Sequence, residues 1–185
     1  MRIGCLGWGS LIWNPASLAV RAPWFVDGPL LPIEFARFSS GSRVTLGIVE
    51  GMPEVRSLWA LMTTKRSEDA VRQLAERENV RAHIDRDIGR WKIGEPCRNP
   101  KLHTISAWAM KQQLEALVWT ALGHKIKKEK DRISSLEEIL ARLRKAEAKG
   151  LTKPREYIEK APRQIDTNFR RAINKELGWS CRSEI

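Results

Sequence analysis

The sequence lacks long hydrophobic runs and has few cysteines, histidines and tyrosines. No apolar run reaches the roughly 18 residues of a membrane-spanning helix, and the start of the chain shows no secretory signal, so we expect a cytoplasmic protein without a membrane anchor. Cys5, Cys97 and Cys181 lie far apart and form no Cys-x-x-Cys pair, which favours free thiols over a disulfide framework or a zinc site. The three histidines also lack the spacing of metal ligands.

Acidic residues are fewer than basic residues in this sequence. The chain has 33 Lys and Arg against 22 Asp and Glu, which gives a formal net charge of +11. Residues 124–185 hold 17 of the basic and 10 of the acidic residues. Such an excess either attracts an acidic partner or keeps the protein soluble. Acids interrupt the densest basic segment, residues 124–132, which favours a solvated face over a nucleic-acid site.

The order of patterns predicts an α+β protein. Strand-like segments come first, one amphipathic helix lies among them, and helices dominate after Gly123. We interpret residues 13–32 as a proline-rich loop and residues 80–100 as irregular. The predicted strands are residues 2–6, 33–38, 43–49, 57–63, 102–110 and 115–122, with the last two forming an antiparallel hairpin.

The helix predicted from Ser67 to about Asn79 carries a candidate catalytic residue. Val71, Leu74 and Ala75 share one face, and Glu78 continues that apolar stripe. A buried carboxyl group has a raised pKa and acts as a general acid or base near neutral pH. Alternatively, Glu78 lies in a frayed last turn and points into water. Arg72 and Glu76 have the spacing of an ion pair.

Three helices are predicted in the remainder of the chain. Ser135 and Glu138 form a capping box for the first. Pro154 opens a short second helix that contains Tyr157, and Asp166 or Thr167 caps the last one before Gly178. We expect Tyr157, Arg170 and Arg171 at the surface. The alternative is that this region forms a lid or a dimer surface through which these side chains reach a pocket.

The segment Gly7-Trp8-Gly9-Ser10-Leu11-Ile12-Trp13 follows the first predicted strand. Two glycines one residue apart allow positive φ values and let a ligand approach the main chain. Successive main-chain N–H groups in such a turn can hold a carboxylate, and Ser10 adds a hydroxyl group. The simpler interpretation is a tight turn followed by an apolar plug.

This opening resembles the G-Y-G-S-L-I-W motif of the γ-glutamyl cyclotransferase-like superfamily, nearest to its ChaC-type branch. Leu74-Ala75-Glu76-Arg77-Glu78 is similar to the family's helix that ends in an Arg-Glu pair, and Leu58-Trp59-Ala60-Leu61 to the strand before it. The resemblance covers residues 1–122. Trp8 replaces the family's usual Tyr, and the Gly-Tyr that follows the acid is missing.

The resemblance implies a fold, a reaction and a set of site residues. The fold is a small mixed β-barrel over residues 1–122, with residues 123–185 as a helical extension packed on it. Glu78 is the catalytic acid/base, and the substrate-binding turn consists of Gly7, Trp8, Gly9, Ser10 and Leu11. The α-amine of a small γ-glutamyl amine or peptide attacks the side-chain carbonyl and 5-oxoproline is released, with no metal and no organic cofactor.

The basic composition supports a different hypothesis. In it, the chain is a non-catalytic binding module whose basic C-terminal region engages an acidic protein or nucleic acid. Retention on a polyanion that falls steeply with salt would distinguish this hypothesis from the enzyme.

Overall fold

The computed structural model describes residues 1–95, 103–122 and 133–183. These ranges contain strands, most of them before the first helix, and then mainly helices, which confirms the predicted α+β class. In chain order the elements are β1 (Ile3–Gly7), β2 (Val20–Phe25), β3 (Leu30–Leu31), β4 (Ile33–Phe38), β5 (Val44–Ile48), β6 (Val55–Arg56), β7 (Leu58–Met62), α1 (Ser67–Arg77), α2 (Ile84–Asp87), β8 (Ile88–Lys92), α3 (His103–Lys111), β9 (Ala116–Thr120), α4 (Leu136–Ala148), α5 (Lys153–Lys160) and α6 (Asn168–Leu177).

The chain divides into two compact units. The first contains Met1–Gly7, Asn14–Leu30 and the described part of Arg56–Leu122. The second contains Trp8–Trp13, Leu31–Val55 and the described part of Gly123–Ile185. The domain boundary predicted after residue 122 adjoins residues 123–132, which lie outside the described ranges, and it stays a prediction.

The first unit is built on a five-stranded mixed sheet with the order β2-β7-β1-β9-β8. Strand β1 pairs antiparallel with β7 and parallel with β9, and all five of its residues are buried. Strands β2 and β8 are the two edges, so this sheet is open. Among the described residues no sheet closes into a barrel.

Helices cover both faces of this sheet. Cys5 and Leu6 follow each other in β1 and therefore point to opposite faces. Leu6 pairs with Trp59, against which Trp108 of α3 packs edge-on at 5.3 Å between ring centroids. Thr120 of β9 lies two residues after the residue that pairs with Cys5, so it points to the same face as Cys5. Its hydroxyl bonds to the end of α1, and α1 therefore covers that face. Burial of β1 follows from this double cover.

The second unit combines the antiparallel pair β4–β5 with three helices. Helix α5 contacts β5, α6 contacts β4, and α4 contacts both α5 and α6. Tyr157 of α5 is buried at the centre, where its ring meets Trp13 and Phe35 edge-on at 5.4 and 6.4 Å between centroids. The main-chain N–H of Leu46 donates to the Tyr157 hydroxyl at 3.4 Å.

Most of the predicted elements are confirmed. The structure has strands near the predicted segments 2–6, 33–38, 43–49, 57–63 and 115–122, and helices near those predicted from Ser67, Ser135, Pro154 and Thr167. The Ser135–Glu138 capping box is present. Thr167 caps α6, and Gly178 ends it in the left-handed conformation.

Other predictions are wrong. Residues 103–111 form helix α3 instead of a strand, because Ile105 and Ala109 are buried at helical spacing. The hairpin with β9 is therefore absent, and β9 pairs with β1 and β8. The predicted loop 13–32 contains strand β2, and the predicted irregular region contains α2 and β8.

Helix α1 differs in detail from its prediction. Arg66 is its N-cap residue, and Ser67 is the first helical residue. Arg72 pairs with Asp69 at 2.9 Å, one turn towards the helix start, rather than with Glu76. None of the helices in the described ranges combines the length and hydropathy that a membrane crossing requires.

Gly89 of β8 provides a test of the sheet. A Cβ atom there would overlap the indole ring of Trp119, which is 3% exposed. We expect Gly89→Ala to lower the free energy of unfolding by about 1–3 kcal/mol, because the ring has to move within a packed core. Urea denaturation followed by circular dichroism measures the change.

Gly47→Ala is the matched control. Gly47 lies in β5, and the nearest atom to its added Cβ is the Arg37 Cβ at 4.0 Å. An equal loss of stability in both variants would contradict the proposed clash.

Candidate functional site

Glu78 occupies the C-cap of helix α1. Its N–H donates to the carbonyl of Leu74 at 3.0 Å, and the preceding apolar residues Val71, Leu74 and Ala75 are buried as predicted. The Glu78 side chain is 15% exposed. The apolar stripe of α1 packs into the first unit, and the Glu78 carboxylate at its end is therefore largely buried.

Arg77 and Thr120 hold the Glu78 carboxylate. The Arg77 Nη1 atom lies 2.6 Å from Glu78 Oε1, and the Thr120 hydroxyl donates to the same oxygen at 3.5 Å. The other end of the guanidinium, Nη2, donates to the main-chain carbonyl of Asn14 at 2.8 Å. Arg77 is 10% exposed and so ties the end of α1 to the chain at Asn14.

Cys5 of β1 lies in the electric field of this pair. Burial raises the pKa of its thiol strongly, and the negative charge of Glu78 raises it further, while Arg77 opposes the shift. The thiol therefore stays protonated, and it donates weakly to the Leu6 carbonyl at 3.6 Å. A protonated, buried thiol is a poor nucleophile, so Cys5 acts as a small apolar neighbour of the site.

The opening motif forms a turn. Within the second unit, the N–H of Ile12 donates to the carbonyl of Gly9 at 3.0 Å. Trp8 and Leu11 are buried, and Ser10 is half-buried.

The two glycines of the motif do not adopt the positive φ values that glycine allows. Neither Gly7 nor Gly9 has a positive φ angle. A Cβ atom on Gly9 would instead overlap the hydroxyl of Tyr157. The glycine is thus required by the close approach of a buried side chain rather than by the backbone conformation.

The predicted site residues are distributed over both units. The first unit brings Glu78 together with Arg77, Thr120 and Cys5, and it contains Gly7 as the last residue of β1. Trp8, Gly9, Ser10 and Leu11 belong to the second unit. The basic residues Lys125, Lys127, Lys128, Lys130 and Arg132 lie outside the described residues.

Sequence reasoning missed a second buried carboxylate, Glu34 of β4, which is 1% exposed. Its Oε1 accepts from the Thr167 hydroxyl and from the N–H of Phe35 at 2.8 Å, and its Oε2 accepts from the N–H of Phe169 at 3.2 Å. Burial raises the pKa of Glu34 although these bonds oppose the shift. The carboxylate binds the N-terminus of α6, which is a favourable place for an acid. The partial alternation of β4 gave no sign of this burial.

Arg170 is also buried, which makes its predicted surface position wrong. It is 2% exposed, and its two terminal nitrogens donate to four main-chain carbonyls, those of Ile158, Ala161, Pro162 and Ile165, at 2.6–3.2 Å. Burial lowers the pKa of this guanidinium. Tyr157 is buried as well, whereas Arg171 is exposed as predicted and pairs with Asp166. Arg170 thus joins the end of α5 to α6.

Comparisons with family models, curated proteins and solved structures found no match to this chain. In the part of the chain that the structure describes, no group of three or more His, Cys, Asp or Glu side chains could hold a metal ion.

Glu34 predicts a pH dependence of stability. Below about pH 4.3, the ordinary pKa of a glutamate, the residue is protonated in both the folded and unfolded chain. As the pH rises, the unfolded chain loses its proton first, because the folded pKa is raised. The free energy of unfolding contributed by Glu34 therefore falls until the pH exceeds the folded pKa.

We expect Glu34→Gln to remove this part of the decline. Denaturation from pH 4 to pH 8 measures it, and Glu54→Gln, at an exposed position of the same unit, is the control. An unchanged pH profile in Glu34→Gln would refute the assignment.

Proposed function

We propose that this protein is a γ-glutamyl cyclotransferase-like enzyme that acts on a small γ-glutamyl amine or peptide. The observation that carries the proposal is the Arg77–Glu78 pair, a largely buried carboxylate fixed by a guanidinium that also bonds to Asn14. Asn14 directly follows the opening motif. Gly7, the first residue of the motif, lies in the same strand as Cys5, and the negative charge of Glu78 raises the pKa of the Cys5 thiol.

In the proposed reaction Glu78 accepts a proton. The α-amine of the γ-glutamyl group attacks the side-chain carbonyl carbon, so that a carbon–nitrogen bond closes the five-membered ring. The bond to the leaving amine then breaks, and the proton taken up by Glu78 passes to that amine. A tethered nucleophile needs little more than correct placement and a proton acceptor, so no metal and no organic cofactor takes part.

Arg77 is a positioning residue in this scheme. Arg77 and Thr120 each contact Oε1 of the Glu78 carboxylate. The tie from Arg77 to Asn14 fixes the direction of the pair.

Substrate binding is assigned to the main chain of Gly7, Trp8, Gly9, Ser10 and Leu11. Their N–H groups would hold the α-carboxylate of the γ-glutamyl group. These residues belong to the turn that is closed by the Gly9–Ile12 bond. The proposal requires this turn and Glu78 to reach the same substrate.

The small mixed β-barrel that the resemblance implies is part of the proposal. The sheet in the first unit, where β1 has one parallel and one antiparallel neighbour, agrees with the mixed strand directions of that fold.

Glu78→Gln tests the proposal. We expect loss of 5-oxoproline release from γ-glutamyl amines by about 100-fold or more, since the amide cannot accept the proton. Chromatographic measurement of 5-oxoproline gives the rate, and the thermal midpoint verifies the fold. Glu76→Gln, one position before Arg77 and exposed, should retain the activity. Full turnover in Glu78→Gln, or no product from the unmodified protein, would contradict the proposal.

The net charge of +11 favours a second candidate. In it, the chain is a non-catalytic binding module whose basic C-terminal region engages an acidic protein or nucleic acid. We expect retention on heparin that falls steeply between about 50 and 200 mM salt, because phosphate-like contacts release counterions. Weak retention that does not respond to salt would contradict this candidate.

A further inference from the structure

A cleft of about 470 Å³ opens at one end of the five-stranded sheet, within the first unit. It lies where β1 begins and β7 ends, beside β2. Its lining combines cationic, hydroxyl and apolar side chains and contains no acidic residue: Met1, Arg2, Ile3, Arg21, Leu61, Met62, Thr63, Thr64 and Lys65.

The three cations of this cleft have no carboxylate partner among the described residues. Arg2, Arg21 and Lys65 are exposed, and Glu115 bonds the main-chain N–H of Arg2 rather than its guanidinium. Elsewhere in the first unit basic side chains commonly contact an acid, and examples are Arg72 with Asp69, Arg86 with Asp87, Arg90 with Asp85 and Lys92 with Glu95. The Glu115 carboxylate also lies 3.8 Å from the main-chain nitrogen of Met1, so one acid borders a cleft that holds three cationic side chains.

The strand register places the two arginines at the same end of the sheet. Arg21 of β2 pairs with Leu61 of β7, and Leu61 pairs with Gly4 of β1. Arg2 directly precedes β1, and Thr63 directly follows β7. Neighbouring strands are about 4.8 Å apart, so Arg2 and Arg21 start from strands about 10 Å apart on either side of Leu61.

We propose that this cleft binds a small phosphate-bearing molecule of about the size of a mononucleotide. A guanidinium group binds a phosphate through two parallel hydrogen bonds, and a lysine adds a point charge. Threonine hydroxyls can donate to the same phosphate oxygens. Met1, which is exposed, and Leu61, which is half-buried, offer apolar surface for the remainder of the ligand. The volume falls within the range of about 300–1,000 Å³ for small-molecule sites. None of these residues takes part in the function proposed above.

Calorimetric titration of the full chain with adenosine monophosphate, adenosine and inorganic phosphate tests the proposal. We expect the monophosphate to bind at least about tenfold more tightly than adenosine, since its phosphate makes the charged hydrogen bonds. Arg2→Gln and Arg21→Gln should each raise its dissociation constant by about tenfold. Arg81→Gln removes the same charge from an exposed position outside the cleft and should change it less than about twofold.

Three outcomes would overturn the proposal. The first is equal binding of adenosine and adenosine monophosphate. The second is an equal loss of affinity in Arg81→Gln and the two cleft variants, which would show a general effect of net charge. The third is binding of a single-stranded oligonucleotide without binding of the monophosphate, which would assign the charge to a polymer contact.

Discussion

Strand β1 has neither a solvent-facing side nor a free edge. It lies between an antiparallel and a parallel neighbour, and all of its residues are buried. Its side chains must therefore be apolar or very small. At Gly4 there is no room even for a methyl group, because a Cβ atom there would come within 2.8 Å of the Leu117 side chain. The same constraint brings Cys5 near Glu78 and leaves Gly7 as the point at which the chain leaves the sheet for the opening motif.

The sequence predicted those elements whose periodicity reflects burial on one side. Helix α1 has a clear apolar stripe, and Val71, Leu74 and Ala75, which were predicted to share one face, are all buried. Strand β2 was missed because Pro23 argues against a strand, yet an edge strand tolerates proline. Helix α3 was mistaken for a strand because a short apolar run does not distinguish the two by periodicity. In the structure Ile105 and Ala109 are buried at helical spacing, and Trp108 packs against Trp59.

The candidate site was predictable where it depends on one helix. The stripe of α1 predicts the position of Glu78, and the 15% exposure of the side chain agrees with it. The tie from Arg77 to Asn14 was not predictable, because it joins residues 63 positions apart. The same holds for Glu34 and Arg170, whose charges are buried by contacts with main-chain groups of other segments. Side-chain periodicity carries no information on such bonds.

Pro23 has a further effect through its position in β2. A proline has no N–H group and is tolerated in a sheet on its edge strands. At the opposite edge, β8 carries the charged side chains of Arg90 and Lys92. Proline and charged side chains are the features by which natural sheets disfavour the pairing of their edges with another strand.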